Sequence, residues 1–284
     1  MAISCLPYSR FFFNHKNNNM KKLFRLRGDL SQKTETLIGV SGLIFILLVW
    51  YVITSSGMIS KSILPNPIDV VKSFKTLHFD KYLVTNALYS LKLNYLGYLE
   101  AILIAVPLGF IIGLFPFFRA LLSKYVDSSR FIPLTALTGL FIAWFGIHDG
   151  MKIHFLAFGI FVYLLPIVVQ RISEVDKVYV QAGRTLGASN WQLIKHIFVP
   201  AVFSKLFDDI KVIVAISWTY IIIAEMLNSS KGGLGAMIFK AARQSNIDQV
   251  FALLAVIVAI GMLQDRLFTW ADKKLFPHKH LKKA

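Results

Sequence analysis

Six blocks of apolar residues, almost free of charge, dictate what this chain can fold into. They run Leu37–Thr54, Leu93–Phe115, Ser129–Ile147, Ile153–Gln170, Val212–Leu227 and Val250–Phe268. A helix rises about 1.5 Å per residue, so about 20 apolar residues cross a hydrocarbon layer about 30 Å thick. Inside that layer no water satisfies backbone N–H and C=O groups, and a helix satisfies them internally. The blocks predict an all-α integral membrane protein, a bundle of six transmembrane helices. Composition agrees: 56% of the 284 residues are hydrophobic and 16% charged, against about a quarter charged in soluble domains.

The net charge of +16 is distributed in a way that excludes a nucleic-acid binder, whose Lys and Arg would share one solvated face. Of the 31 Lys and Arg, 21 fall in the N-terminal tail, Pro116–Arg130, Arg171–Asp209 and the stretch from Arg266, segments on one side of a six-span chain. The intervening segments hold eight. Basic residues near span ends stay on the cytoplasmic side, which predicts cytoplasmic termini. The expected organisation is a basic cytoplasmic tail over 1–36, a membrane domain over 37–275 and a basic tail over 276–284. Phe11–Phe13 are too few apolar residues for a signal-peptide core, and Met20 is an alternative start. The single cysteine, Cys5, allows no disulfide within the chain.

Two connections exceed simple turns. In Ser55–Asn86, Leu64-Pro65-Asn66-Pro67 disfavours helix, and Ile68, Val71, Phe74 and Leu77 then recur at helical spacing. That pattern predicts an amphipathic helix along the membrane surface. In Arg171–Asp209 the sequence predicts two short helices broken at Gly187. Val178, Ala182 and Thr185 share one face of the first; Trp191, Ile194 and Ile197 share a face of the second, which ends before Pro200. Gly187 supplies a turn without a side chain. Such a hairpin either docks a partner or caps the spans, and the residues alone leave both open.

Its spacing resembles the EAA loop of binding-protein-dependent importer permeases: Glu-Ala-Ala, three residues, Gly, nine residues, Ile, one residue, Leu-Pro. Ala182, Gly187, Ile197 and Pro200 fall in register, while Gln181, Gly183 and Val199 replace the family's Glu, Ala and Leu. The resemblance covers roughly residues 63–275. It includes Ala143-Trp144-Phe145-Gly146-Ile147, Gly187-Ala188-Ser189-Asn190-Trp191-Gln192-Leu193 and Ala224-Glu225-Met226-Leu227 with Gly233-Leu234-Gly235. It points to the branch importing nitrate, bicarbonate, sulfonates and taurine. The resemblance implies a permease subunit in the bacterial inner membrane that carries a small solute, an anion above all, by alternating access. It also implies a second permease copy forming a homodimer, two cytoplasmic ATPase subunits that bind ATP and Mg, and an extracytoplasmic binding protein. Gln181, Ala182, Gly183, Gly187, Ala188, Ile197 and Pro200 would then form the coupling loop that meets the ATPase.

No phosphate loop occurs; Gly232-Gly233-Leu234-Gly235 lacks the Lys and Ser/Thr of one and is expected as a turn at the membrane surface. No cofactor, metal or catalytic residue is expected on this chain. His278 and His280 lie in a basic tail without a third ligand, and His154 and His196 look isolated and structural. Charges inside spans are costly and invite functional readings. Glu100 lies near one end of the second span. Trp218, Thr219 and Glu225 interrupt the aliphatic fifth span and are the candidates for the solute pathway. Pro107, Pro133 and Pro166 each break a backbone ladder and mark sites for hinges. Two rivals are weaker. A secondary transporter working without ATPase partners needs deep coupling carboxylates or repeats; a membrane-embedded enzyme needs clustered His, Asp or Glu.

Overall fold

A computed structural model describes residues 26, 28 and 30–279. Cys5, Met20, most of the 1–36 tail and the last residues of the 276–284 tail lie outside the described residues. Two units are distinguished, 1–59 and 60–284. The first contributes α1 (Gln32–Ser55), capped by Ser31, whose Oγ accepts the N–H of Thr34 at 3.3 Å. Its 24 residues span about 36 Å, and apolar side chains such as Leu43, Phe45 and Leu48 are exposed all round it. A helix apolar on every face belongs in lipid.

In the second unit the chain forms α2 (Pro67–Phe79), α3 (Leu83–Leu114), α4 (Pro116–Ser129), α5 (Thr138–Phe145) and α6 (Asp149–Ser173). The hairpin helices α7 (Lys177–Thr185) and α8 (Asn190–Leu193) follow. The chain closes with α9 (Val199–Leu227), α10 (Leu234–Arg243) and α11 (Ile247–Leu275). Asn66 starts α2 by accepting the Ile68 N–H at 2.9 Å, with Pro67 in the first turn, where its missing N–H costs nothing. The buried face of α2 is Val70, Ser73 and Leu77, whereas Ile68 and Val71 of the expected apolar stripe are exposed. The helix leans on the start of α11 instead, with Ser73 Oγ donating to Asp248 O at 3.4 Å.

The backbone of the bundle is the pair α3 and α6. A Cβ at Gly97 would meet Leu156 Cδ2 at 2.9 Å, one at Gly109 Val168 Cγ1 at 2.5 Å, and one at Gly113 Ile172 Cδ1 at 2.7 Å. Each partner lies 59 residues further along, so the two helices run parallel and in constant register. Small residues let membrane helices approach closely and gain dispersion contacts where no hydrophobic force separates lipid from Leu. Pro107 and Pro166 obey the same offset and sit inside continuous helices.

Parallel α3 and α6 require the chain between them to return across the membrane. It does so in pieces, which corrects the expectation of one continuous helix over Ser129–Ile147. The α4 segment and the segment Leu134–Phe145 meet at a bend of 93°. Pro133 restricts Ile132 to extended backbone and supplies no N–H, so helix stops there. A 3₁₀ turn over Leu134–Leu137 leads into α5, which ends at Gly146 with φ 68°. Leu134 and Tyr220 close on Gly159, and Phe141 packs edge-on against Phe155 at 5.5 Å, seating the returning segment against α6. Among the described residues five helices are long and apolar enough to cross a membrane, and the bent pair, counted as one span, makes six.

The fifth crossing also differs from expectation. The helix does not end before Pro200: it runs from Asn190 through to Leu227. Residues Ile194–Phe198 widen into a π turn, with Val199 N–H donating to Ile194 O, and Pro200 falls in the first turn of the next α segment. The wider turn accommodates a residue that lacks a donor and would crowd an ordinary helix.

Candidate functional site

The 171–209 loop folds as the expected hairpin with its break at Gly187. Asp176 caps α7 by accepting the Val178 N–H at 2.9 Å. At the other end Ala188 N–H donates to Gly183 O at 3.0 Å and Gly187 N–H to Arg184 O at 2.9 Å. This pairing closes a helix through one left-handed residue, and Gly187 has φ 79°. Ser189 and Gln192 cap α8 reciprocally: Ser189 N–H donates to Gln192 Oε1 at 2.7 Å, and Gln192 N–H to Ser189 Oγ at 3.4 Å.

The two glycines of this hairpin do different things. A Cβ at Gly183 would lie 2.6 Å from Leu193 Cδ2 and 3.0 Å from Ile197 Cδ1, so Gly183 lets the helices close on each other. Leu193 is the buried residue of α8, while Trp191 is 70% exposed. Around Gly187 nothing lies within 4 Å of a Cβ position. Leu186, Val178 and Tyr179 are exposed as well, as are Gln181 and Ala182. The tip is therefore an exposed surface on which Leu186 and Trp191 stand among Arg184, Thr185 and Asn190, with a side-chain-free turn at its centre.

The base of the hairpin is clamped by charges that the sequence did not single out. Arg171 donates through Nε and Nη2 to the two oxygens of Asp209, both at 2.7 Å, and through Nη1 to Glu174 at 2.7 Å. Lys205 lies 3.4 Å from the same Glu174. The Arg171 guanidinium holds the Glu174 carboxyl below the usual carboxylate range. The clamp ties the end of α6 to the hairpin end of α9.

Of the three pathway candidates, two are inside the subunit. Trp218 is buried and donates Nε1–H to Gln264 Oε1 at 2.7 Å. Glu225 is fully buried; it is not paired at the surface. Ser90 Oγ donates to its carboxylate at 2.7 Å, and the Gly235 N–H donates to Oε2 at 2.8 Å. Thr219 points the other way and is exposed.

The glycine segment 232–235 is the entrance to α10, and three of its N–H groups end on side chains: Gly233 on Asn86 at 2.8 Å, Leu234 on Ser90 at 2.8 Å, Gly235 on Glu225. Helix N-terminal donors have no partner within their own helix, and here α3 and α9 satisfy them. Lys152, counted with the exterior charges, is buried; its Nζ reaches Tyr89 Oη at 3.4 Å and interacts electrostatically with Asp149 and Glu225. Tyr89 in turn donates to Asp149 at 2.7 Å.

His154 is not isolated. Its Nδ1 lies 2.8 and 3.0 Å from the carboxylate oxygens of Glu100, joining α6 to α3 at the wall of an aromatic cavity of about 310 Å³. The two are 54 residues apart in sequence, and only the parallel register brings them together. Among the described residues no group of three or more His, Cys, Asp or Glu gathers as a metal site.

Known proteins share this architecture. Residues 105–277 match the family described as the binding-protein-dependent transport system inner membrane component. The aliphatic sulfonates transport permease of Bacillus subtilis is 30% identical over 234 residues, 81% of this chain and 83% of that protein. The taurine transport system permease of Escherichia coli is 27% identical over 256 residues, covering 88% and 92%. The bicarbonate transport system permease of Synechococcus elongatus is 24% identical over 252 residues, covering 84% and 88%. Among solved structures, an inward-facing methionine ABC transporter superimposes with a TM-score of 0.61 at 17% identity, over 68% of this chain and 95% of that one. The chain belongs to the family of inner-membrane components of binding-protein-dependent transport systems, as a membrane-spanning permease subunit of an ATP-driven importer.

Proposed function

We propose that two copies of this chain form the pathway, with two ATPase subunits docked on the hairpin tips and an extracytoplasmic binding protein delivering the solute. The observation that carries the reading is the tip itself: exposed large side chains, Leu186 and Trp191, beside a left-handed glycine with nothing over it. ATP and Mg bind the partner subunits. Their closure draws the two hairpins together, and the Arg171–Asp209 clamp passes the movement to α6 and α9, switching the pathway between its two openings. The charge bias supports a cytoplasmic hairpin and cytoplasmic termini.

The solute is a small polar molecule; the sulfonate, taurine and bicarbonate permeases among the relatives support an anionic one. Thr219 lies on the pathway, and Trp218 and Glu225 hold the wall behind it. Purification of the tagged chain from cells co-expressing an importer ATPase subunit from the same genome tests the assembly. The ATPase is expected to co-purify and to hydrolyse ATP faster when loaded binding protein is added. Purification of the folded chain without it would overturn the proposal. Wild-type uptake from both Glu225→Gln and Thr219→Val would remove Thr219 from the pathway and Glu225 from its wall.

A further inference from the structure

The cavity beside Glu100 and His154 is built from two parallel helices and the broken crossing. Its wall is aromatic, carrying the rings of Phe141, Trp144, Phe145, Phe158 and Phe161. Phe145 lies over His154 with centroids 4.5 Å apart, and Phe141 contacts Trp144 at 5.8 Å and Phe158 at 5.7 Å. Into this wall the Glu100 carboxylate projects, 31% exposed, with its His154 partner 39% exposed.

Lipid is a poor cover for this face. Ionisable side chains within membrane helices face the protein interior or a water-filled cavity, because hydrocarbon leaves them unsolvated. The chemistry of the wall is also one-sided. No Lys or Arg lines it, and an imidazole at most cancels the carboxylate. Aromatic ring faces present negative potential and attract cations. The cavity thus repels an inorganic anion and favours an ammonium group.

We propose that this cavity is a solute-contact site that takes the protonated amine of a small organic solute, with Glu100 as its counter-ion. His154 is the positioning residue that fixes the carboxylate through Nδ1. The volume suits a molecule of a few heavy atoms with some water, at the lower end of ligand pockets. The assignment rests on the permease reading and narrows its solute class: an amine-bearing or zwitterionic compound, its anionic end outside the aromatic wall.

The experiment is a fluorescence titration of the full-length chain in nanodiscs with three probes: taurine, ethylamine and ethanesulfonate. Trp144 reports from the cavity wall, and Trp144→Phe identifies its share of the signal. Taurine and ethylamine are expected to give a saturable change that Trp144→Phe removes, with ethanesulfonate at least about tenfold weaker. Glu100→Gln is expected to weaken taurine by about tenfold or more, and His154→Gln less. Ile104→Trp, which fills the cavity from an exposed position, is expected to abolish the response even if Glu100→Gln does not assemble. Equal binding of ethanesulfonate and taurine would overturn the proposal, as would a taurine response that survives Trp144→Phe or is unchanged in both Glu100→Gln and Ile104→Trp. These readings do not need the ATPase. Loss of ATPase co-purification with intact amine binding would therefore count against the assembly and not against the site.

Discussion

The carboxylate of Glu225, near the end of α9, receives the backbone N–H of Gly235 in the first turn of α10 at 2.8 Å. Gly233 has no side chain because Glu225 occupies the space where its Cβ would stand, and Gly235 is likewise pressed against the Ile222 carbonyl. Ser90 completes the arrangement from α3, so one carboxylate fixes three helices at one end of the bundle.

Removing that carboxylate should cost the fold more than it costs any surface chemistry. Glu225→Ala leaves the Ser90 and Gly235 donors without their acceptor and removes one of the two carboxylates that attract Lys152. An unsatisfied buried donor costs about 1–3 kcal/mol, and two donors lose their acceptor here. Glu225→Gln keeps an acceptor of the same shape and loses only the charge. Monodispersity after heating in detergent should fall clearly for Glu225→Ala and slightly for Glu225→Gln. Equal heat resistance of the wild type and Glu225→Ala would show that the network contributes little.

The parallel register of α3 and α6 gives a second expectation. At Gly109 a methyl group would stand 2.5 Å from Val168 Cγ1, inside contact distance. Overpacking of this kind costs about 1–3 kcal/mol. Gly109→Ala should lower stability by that amount, and adding Val168→Ala should restore much of it. Gly139, where nothing lies within 4 Å of a Cβ, should tolerate Ala. A Gly109→Ala protein as stable as Gly139→Ala would refute the register.

Much of this was legible in the chain. Lipid sets a length and polarity that each span must meet, so five passages could be read directly. The third could not, because Pro133 is compatible with a kinked helix as well as with a full break, and only packing against Gly159 and Phe155 selects the break. The hairpin's turn at Gly187 was legible because a left-handed residue needs glycine. Its inner packing was not: Gly183 looked like a departure from a pattern until Leu193 and Ile197 were seen against it. Glu100 and His154 looked unrelated, since their meeting depends on a register between two helices that no local pattern encodes. Pro200 misled because its effect depends on whether the preceding turn widens.

Topology can be tested on exposed positions. In a Cys5→Ser background, cysteines at Asn190 and Ser62, both exposed, sample the hairpin and the connection before α2. A membrane-impermeant thiol reagent on intact cells should label position 62 and leave 190 unlabelled. The reverse pattern would invert the orientation and remove the hairpin from the ATPase side.

The hairpin tip permits the sharpest test, because its geometry separates two costs. Gly187 has φ 79°, so any Cβ there is strained by about 1 kcal/mol. No atom lies within 4 Å of that Cβ, so in the free subunit there is no steric cost, and an added carboxylate stays in water. Gly187→Ala should therefore fold and couple with a modest loss. Gly187→Asp should fold equally well, since its extra charge is solvated until a partner covers it. Burying that unpaired carboxylate on docking costs several kcal/mol, which outweighs the backbone strain. The Asp variant should insert normally, yet lose the ATPase subunits on purification or lose stimulated hydrolysis. Gly183→Leu, by contrast, should open the hairpin itself, because its side chain would collide with Leu193 and Ile197. Normal co-purification with normal stimulated hydrolysis in Gly187→Asp would sink the docking assignment. Loss of the folded permease in that variant would give the tip a capping role in place of a docking one.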